Sequence, residues 1–262
     1  LKSRLDSELV RRKIARSRED ARELIESGSV VVNGLVAKKV ASLVDEGASI
    51  SLNAEREEYV SRGARKLLGA LNHFEITTLD GKRVLDAGAS TGGFTDLLLS
   101  RGALKVFAVD VGYGQLAWSL QSHPHVVVMD RTNVRDLDLE KLQGKVDLIV
   151  ADLSFISLTT VLPVFAALVA DEGEMLLMVK PQFEVGRDQL GSGGVVREPN
   201  LRALAVKRVA ESAWTLSYGV KGVVASPLPG PAGNVEYFLW LRKGSEQLRE
   251  SDLTRAIEEG PS

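Results

Sequence analysis

The chain of 262 residues carries a net charge of −2, with 44% hydrophobic and 26% charged residues, the profile of one large or two ordinary globular domains. It holds no cysteine, which excludes disulfides, cysteine-ligated zinc and a cysteine nucleophile. No apolar run reaches membrane-spanning length: the nearest, 161–170, is short and contains Pro163, and the charged N-terminal stretch has no signal-type apolar segment.

The charge is uneven. Residues 1–22 hold eight Lys/Arg against four acids, whereas residues 244–262 hold five acids against two arginines. A basic head on a near-neutral body suggests a polyanion-binding module. Residues 4–27 show helical periodicity through Leu5, Leu9, Ile14, Ala21, Leu24 and Ile25, with Ser17 placed to start a helix and Gly28 to stop one. Val30–Val32 then predicts a short strand, Asn33-Gly34 a tight turn, and 49–52 a further strand. Residues 1–52 therefore read as a small α+β domain, 53–60 as a polar linker, and 244–262 as a helical C-terminal tail.

From 61 the pattern changes. A helix over 62–73 precedes strands at 83–87, 105–110, 125–129, 146–152 and 174–180, with helices near 93–101, 115–121 and 157–170. Such alternation predicts a parallel sheet wrapped by helices. Residues 181–199, with four glycines, read as a long mobile loop before a helix over 198–215. Two last strands, 220–225 and 235–241, are joined by Pro227-Leu228-Pro229-Gly230-Pro231-Ala232-Gly233. That joiner is unsuited to a helical crossover, so the pair should be antiparallel. A parallel sheet closed by an antiparallel hairpin is the architecture of many methyltransferases.

The most informative stretch is Asp86-Ala87-Gly88-Ala89-Ser90-Thr91-Gly92-Gly93, which follows the apolar run at 83–85 and opens a helix near Gly93. Glycines there would let the backbone approach a ligand. The next strand ends in Asp110, 24 residues after Asp86, a spacing that suits a carboxylate on ribose hydroxyls. The turn lacks a strict GxGxxG, and Asp86 would repel a pyrophosphate. A nucleoside ligand with a cationic part, such as S-adenosylmethionine, fits better than a dinucleotide. Asp152 and Lys180 also close strands, the edge at which open α/β sheets bind ligands.

These motifs resemble two known families in series. Arg4-Leu5-Asp6, Ala15-Arg16-Ser17-Arg18 and Val30-Val31-Val32-Asn33-Gly34 resemble the S4-type RNA-binding domain. Residues 61–243 resemble the FtsJ-like ribose 2′-O-methyltransferases, with Ser61-Arg62-Gly63-Ala64-Arg65-Lys66-Leu67 as the opening helix. The order of modules resembles the TlyA family, also called haemolysin, whose members methylate cytidine 2′-hydroxyls in ribosomal RNA. The resemblance implies a Rossmann-like S-adenosylmethionine-dependent methyltransferase with a Lys-Asp-Lys-Glu tetrad on Lys66, Asp152, Lys180 and Glu236. It implies S-adenosyl-L-methionine on Gly88, Ser90, Thr91, Gly92, Gly93 and Phe94, with Asp86 at its ammonium, Asp110 at its ribose and Asp130 at its adenine. One departure is Thr91-Gly92-Gly93 where many FtsJ-like members have Pro-Gly-Gly. RNA contacts fall on Arg4, Arg16, Arg18, Arg62 and Arg65. The partner implied is ribosomal RNA within ribosomal subunits, in the cytoplasm, with no metal, no obligate protein partner and no stable membrane association.

The chemistry explains the tetrad. A ribose hydroxyl is a weak acid that must lose its proton near attack while lying in line with the methyl carbon. A lysine, at a reference pKa of about 10.4, becomes a better base beside a second lysine or when buried, whereas a neighbouring carboxylate acts the other way, and the sequence does not rank the two. Lys180 is the candidate base, with Asp152 and Glu236 orienting the two amines. Phe155, Phe183 and Tyr113 could stack on a flipped base but read more simply as packing. His123 and His125 lack a third ligand. Two other readings compete: a non-catalytic ribosome-binding factor, disfavoured by the complete tetrad, and a pore-forming haemolysin, disfavoured by the absence of a spanning segment.

Overall fold

The computed structural model describes residues 2–15, 17–26, 28–52 and 59–261. The chain divides into two compact units between Glu58 and Tyr59.

The first unit runs β1 (Lys2–Arg4), α1 (Leu5–Arg11), α2 (Arg18–Glu26), β2 (Val30–Val32), β3 (Leu35–Val36), β4 (Leu43–Asp45) and β5 (Ile50–Leu52). Leu5 and Leu9, one turn apart on α1, meet Ala21 and Ile25 of α2 and Val30 of β2 in its core. The periodic stretch is two short helices, as its internal start at Ser17 suggests, and the break falls around Lys13, whose φ is +59°. Ser17 caps the second, accepting the Asp20 amide at 3.1 Å. Asn33 and Gly34, at φ +50° and +83°, turn β2 into β3. β5 pairs with β2, while β1 pairs with β4 in a separate two-stranded ribbon. β1, β3 and β4 are absent from the sequence-based reading, because two or three residues are too few to show a period of two.

The second unit continues with α3 (Gly63–His73), β6 (Arg83–Ala87), α4 (Gly93–Ser100), β7 (Lys105–Val109), α5 (Trp118–Gln121), β8 (Val126–Met129), β9 (Val146–Ala151), α6 (Leu158–Leu168), β10 (Val169–Val179), α7 (Pro181–Glu184), α8 (Pro199–Thr215), β11 (Tyr218–Ala225), β12 (Tyr237–Lys243) and α9 (Glu250–Glu258). Its sheet has the order β11-β12-β10-β9-β6-β7-β8. Neighbours from β10 to β8 are parallel, and β12 runs antiparallel to both β10 and β11. The result is the mostly parallel sheet with an antiparallel last strand expected from the sequence, preceded by a small α+β unit.

The strands are apolar throughout because both faces are covered. Val84, Leu148 and Leu176 pack toward α3 and α4, whereas their neighbours Leu85, Ile149 and Leu177 pack toward α6 and α8. The last helix is part of this core, with Leu253 and Ala256 buried.

Three elements differ from expectation. α6 passes into β10 without a loop, so β10 starts at Val169, and its pairing with β9 shifts between Val169 and Glu174. α5 is one turn, shorter than the helix expected over 115–121. Residues 181–199 are not a bare loop: α7 starts with Pro181 at its first position, two 3-10 turns follow at Arg187–Gln189 and Ser192–Gly194, and Val185 and Val196 are buried. Among the described residues no helix is long and apolar enough to cross a membrane.

Candidate active site

The carboxyl ends of β6, β7 and β9 frame a cleft of about 750 Å³. Gly88 and Ala89 donate their amides to Val109 O, at 2.8 and 3.1 Å, and Asp152 donates its amide to Ala87 O at 2.9 Å. These bonds pin the glycine loop to both neighbouring strands. Gly88, Ser90, Asp110 and Asp152 line the cleft, with Gln115, Asn133, Arg135 and Phe155. Asp110 holds the loop through one carboxylate oxygen, accepting from the Ser90 amide at 2.8 Å, and its other oxygen accepts from the Gly112 amide of its own turn at 2.7 Å.

The glycines also have a cause within the protein. Gly88 has φ +87°, and a Cβ there would strike the backbone carbonyl of Asp152. A Cβ on Gly92 would meet Leu116 and Leu120, and one on Gly93 would meet Ser61 and the Ala64 amide. What approaches closely at these positions is the protein itself. Phe94 also departs from expectation: its ring is buried against Phe238, with centroids 6.1 Å apart, and packs in the core. Thr91 is exposed, its carbonyl accepting the Ala117 amide at 3.1 Å. Asp130 accepts the Gly114 amide at 2.8 Å and stands outside the cleft lining.

Asp86 is fully buried behind the glycine loop and does not line the cleft. The sequence suggests a contact with the ligand's ammonium, whereas the carboxyl stands behind the loop and outside the cleft lining. Oδ2 accepts from Thr95 Oγ1 at 2.6 Å, while Oδ1 is buried with no partner. Burial pushes this carboxyl up to about 7, against the Thr95 hydrogen bond, and the charges of Asp152 and Asp110 push it the same way. Of these three carboxylates Asp152 has a lysine partner, whereas among the described residues no cation pairs with Asp110 or with the unmet Asp86 acceptor. A ligand bearing a sulfonium and an ammonium supplies positive charge there, so the residues fit S-adenosylmethionine.

The four tetrad residues form two ion pairs. Lys66 Nζ lies 2.6 Å from Glu236 Oε2, with both side chains buried. Lys180 Nζ lies 2.6 Å from Asp152 Oδ1 and donates to Ser154 Oγ at 3.0 Å. Lys66 projects from the buried face of α3, which also carries Ala64, Leu67, Ala70 and Leu71. Asp152 and Lys180 follow the last residues of β9 and β10, and Glu236 precedes the first residue of antiparallel β12. Because Val179 pairs with Tyr237, Lys180 and Glu236 flank the same end of adjacent strands. Antiparallel β12 therefore brings its start to the edge where its parallel neighbours end.

Several participants carry no sequence signal. Ser154 grips Lys180. Glu184 accepts from Ser157 Oγ at 2.5 Å and from the Leu158 amide at 2.8 Å, and burial pushes its carboxyl above the usual range. Asn234 Oδ1 accepts the Val196 amide at 2.9 Å, and its Nδ2 donates to Gly194 O at 3.1 Å, tying the glycine-rich stretch to the tetrad edge. Of the aromatics weighed earlier, Phe155 is 91% exposed, with its ring centroid 5.4 Å from that of Phe183. Tyr113 is also exposed, and the Arg131 guanidinium lies 4.1 Å from its ring centroid.

In the first unit, Arg4 makes a bidentate pair with Asp6 at 3.0 Å, and Arg18 lies 3.8 Å from the same carboxylate while donating to Ser7 Oγ at 2.6 Å. The hydrogen-bonded Arg4 holds the Asp6 carboxyl below its usual range. Both arginines stay more than half exposed, so each keeps donors facing solvent. Arg16 lies outside the described residues. In the second unit, Arg62 donates to Pro229 O at 3.1 Å, and Arg65 is exposed.

Comparison with known proteins agrees with this geometry. Residues 59–243 match the family described as FtsJ-like methyltransferase, and residues 3–50 match the S4 domain. The chain is 54% identical, over 99% of both chains, to the 16S/23S rRNA (cytidine-2′-O)-methyltransferase TlyA of Mycobacterium tuberculosis (strain CDC 1551 / Oshkosh). It is 34% identical to the 23S rRNA (cytidine-2′-O)-methyltransferase TlyA of Campylobacter jejuni, over 87% of this chain and 94% of that one. A solved structure carrying the hemolysin name, from Streptococcus thermophilus, superposes with a TM-score of 0.78 at 35% identity, covering 98% of this chain and 95% of that one.

Proposed function

Because the chain belongs to the TlyA family of FtsJ-like methyltransferases, with S-adenosylmethionine as cofactor, we propose that it methylates the ribose 2′-hydroxyl of a cytidine in ribosomal RNA. The substrate is rRNA assembled in ribosomal subunits, met in the cytoplasm. The observation that carries this reading is the pair of lysine–carboxylate contacts at one sheet edge, beside a carboxylate-lined cleft.

S-adenosylmethionine, when bound, supplies a methyl carbon activated by its sulfonium. Asp110, Ser90 and the Gly88 loop hold the cofactor in the cleft, and Asp86 contributes its charge from behind that loop. Lys180 takes the proton from the 2′-hydroxyl onto Nζ as the oxygen attacks. Asp152 and Ser154 hold that amine at the cleft, since both bond to Nζ. Lys66, fixed by Glu236, adds a positive charge that favours the developing alkoxide. Arg62 and Arg65 at the start of α3, and Arg4, Arg16 and Arg18 of the S4 domain, contact phosphates, which position the RNA without reading its sequence.

Methyl transfer from labelled cofactor to purified small and large subunits tests the reading. The expected result is label on a ribose of cytidine, mapped by nuclease digestion. Label on a base or on protein, or none on either subunit, would overturn it. The two TlyA relatives differ in their named targets, 16S/23S against 23S, so both subunits are assayed.

A further inference from the structure

The short segment Lys180–Glu184 holds the loop Asp152–Ser157 at both ends. At one end Lys180 Nζ bonds Asp152 Oδ1 at 2.6 Å and Ser154 Oγ at 3.0 Å. At the other, the Glu184 carboxylate accepts from Ser157 Oγ at 2.5 Å and the Leu158 amide at 2.8 Å. Between these grips stands Phe155, with φ +65° and its ring 91% exposed. A non-glycine residue persists in the left-handed region only where its surroundings enforce it. Glu184 itself is fixed: it is 8% exposed, and its own carbonyl accepts from Arg208 Nη1 at 2.9 Å.

Proton counting shows that the grip is specific. The single hydroxyl hydrogen of Ser157 goes to Glu184, so Thr159 donates its hydroxyl to Ser157 Oγ across 2.7 Å, and the Thr159 amide donates to the same oxygen at 3.2 Å. Leu158 opens α6 and is buried, so its amide would be an orphan of the helix start without the Glu184 oxygen.

We propose that Glu184 is a positioning residue for methyl transfer: it fixes the far end of the Asp152–Ser157 loop, so that Asp152 and Ser154 hold the Lys180 amine in its reactive place. The inference rests on the role assigned to Lys180 under the proposed function. Small displacements around a reacting pair cost up to about 10²-fold in rate.

Glu184→Ala and Glu184→Gln test it in the full-length protein, using single-turnover methyl transfer at saturating rRNA and cofactor, alongside amide hydrogen exchange at Leu158. Glu184→Ala should speed exchange at Leu158 and slow the single-turnover step about 10- to 100-fold, with a smaller change in apparent KM for RNA. Glu184→Gln should recover most of the rate, because its amide oxygen still accepts from Leu158 while its NH2 donates to Ser157, whose hydroxyl turns to Thr159. Should Glu184→Ala not fold, Ser157→Ala removes one of the two bonds and should show a smaller loss in the same direction. A wild-type rate in Glu184→Ala, or in Ser157→Ala in its place, overturns the proposal even where the melting temperature falls, since a purely structural cap predicts that pattern. Exchange at Leu158 that is unchanged in Glu184→Ala overturns it equally. A wild-type protein that methylates nothing, with Leu158 exchange still faster in Glu184→Ala, faults the functional reading and leaves the loop clamp standing.

Discussion

Lys66 and Glu236, 170 positions apart in the chain, meet in a 2.6 Å ion pair from which water is almost excluded. One belongs to the first helix of the methyltransferase unit and the other to the joint before its last-made strand. A buried pair of this kind gains little over an apolar replacement, but each partner is costly to leave alone.

Glu236→Ala should therefore lower unfolding stability by about 3–5 kcal/mol, while Lys66→Met/Glu236→Met should recover most of the loss and remain inactive. Urea unfolding monitored by two probes checks this. A single mutant as stable as the wild type would mean that the pair is solvated.

Lys180→Ala should keep the fold and cofactor binding while slowing methyl transfer by about 10²-fold or more, the usual scale for a lost proton acceptor. Single-turnover assays at saturating substrate decide it. Near-wild-type turnover would remove Lys180 from the mechanism.

Asp110→Ala should weaken S-adenosylmethionine by about 1–3 kcal/mol in calorimetry. The variant also strands the Ser90 and Gly112 amides, so loop 88–92 should exchange its amides faster. Asp110→Asn keeps an acceptor for one of the two and should fall between. Unchanged affinity in both variants would move the ribose contact elsewhere.

Asp86 makes the free protein pH-sensitive. Its carboxyl rises from 3.8 to about 7 on folding, so between those values the folded state binds more protons than the unfolded one. Stability should then fall as pH rises through that window, by up to a few kcal/mol at ~1.36 kcal/mol per unit. Asp86→Asn should flatten the dependence. A cationic cofactor favours the ionised form, so its binding near neutral pH should release a proton, visible as a buffer-dependent heat. Wild-type pH dependence in Asp86→Asn would assign the effect to other groups.

Arg4→Ala/Arg18→Ala should reduce the log–log salt slope of binding to ribosomal subunits by about one per arginine. The arginines are largely in water but pair with the buried Asp6, so the variant should also lose some stability, and Asp6→Asn in the same background should restore it without restoring the slope. A lower melting temperature with an unchanged slope would make them purely structural.

The sheet of the second unit was legible because both its faces are buried: Val84-Leu85, Leu148-Ile149 and Leu176-Leu177 read as apolar runs ending in Asp86, Asp152 and Lys180. Strand ends locate an α/β site, so Asp110, Asp152 and Lys180 could be placed by rule, whereas Lys66 and Glu236 needed the family resemblance. The remainder depends on contacts without a period. Ser154 and Glu184 act on partners 26 and 27 positions away, and no local pattern marks such a hydrogen bond. Phe94 sits beside the glycine loop in sequence but points to Phe238, and proximity in sequence was the wrong guide. The glycines of the loop were recognised, but sequence could not distinguish a ligand from Asp152 as the close neighbour.

β12 is made after β10 and β11 yet lies between them. As the chain emerges from a ribosome, the Glu174–Val179 edge of β10 stays open on that side until Tyr237–Lys243 arrives, and β11 has no neighbour to join. An open edge of this length is a site for mispairing with other chains. A premature stop after β11 should therefore yield aggregate, not a smaller working enzyme.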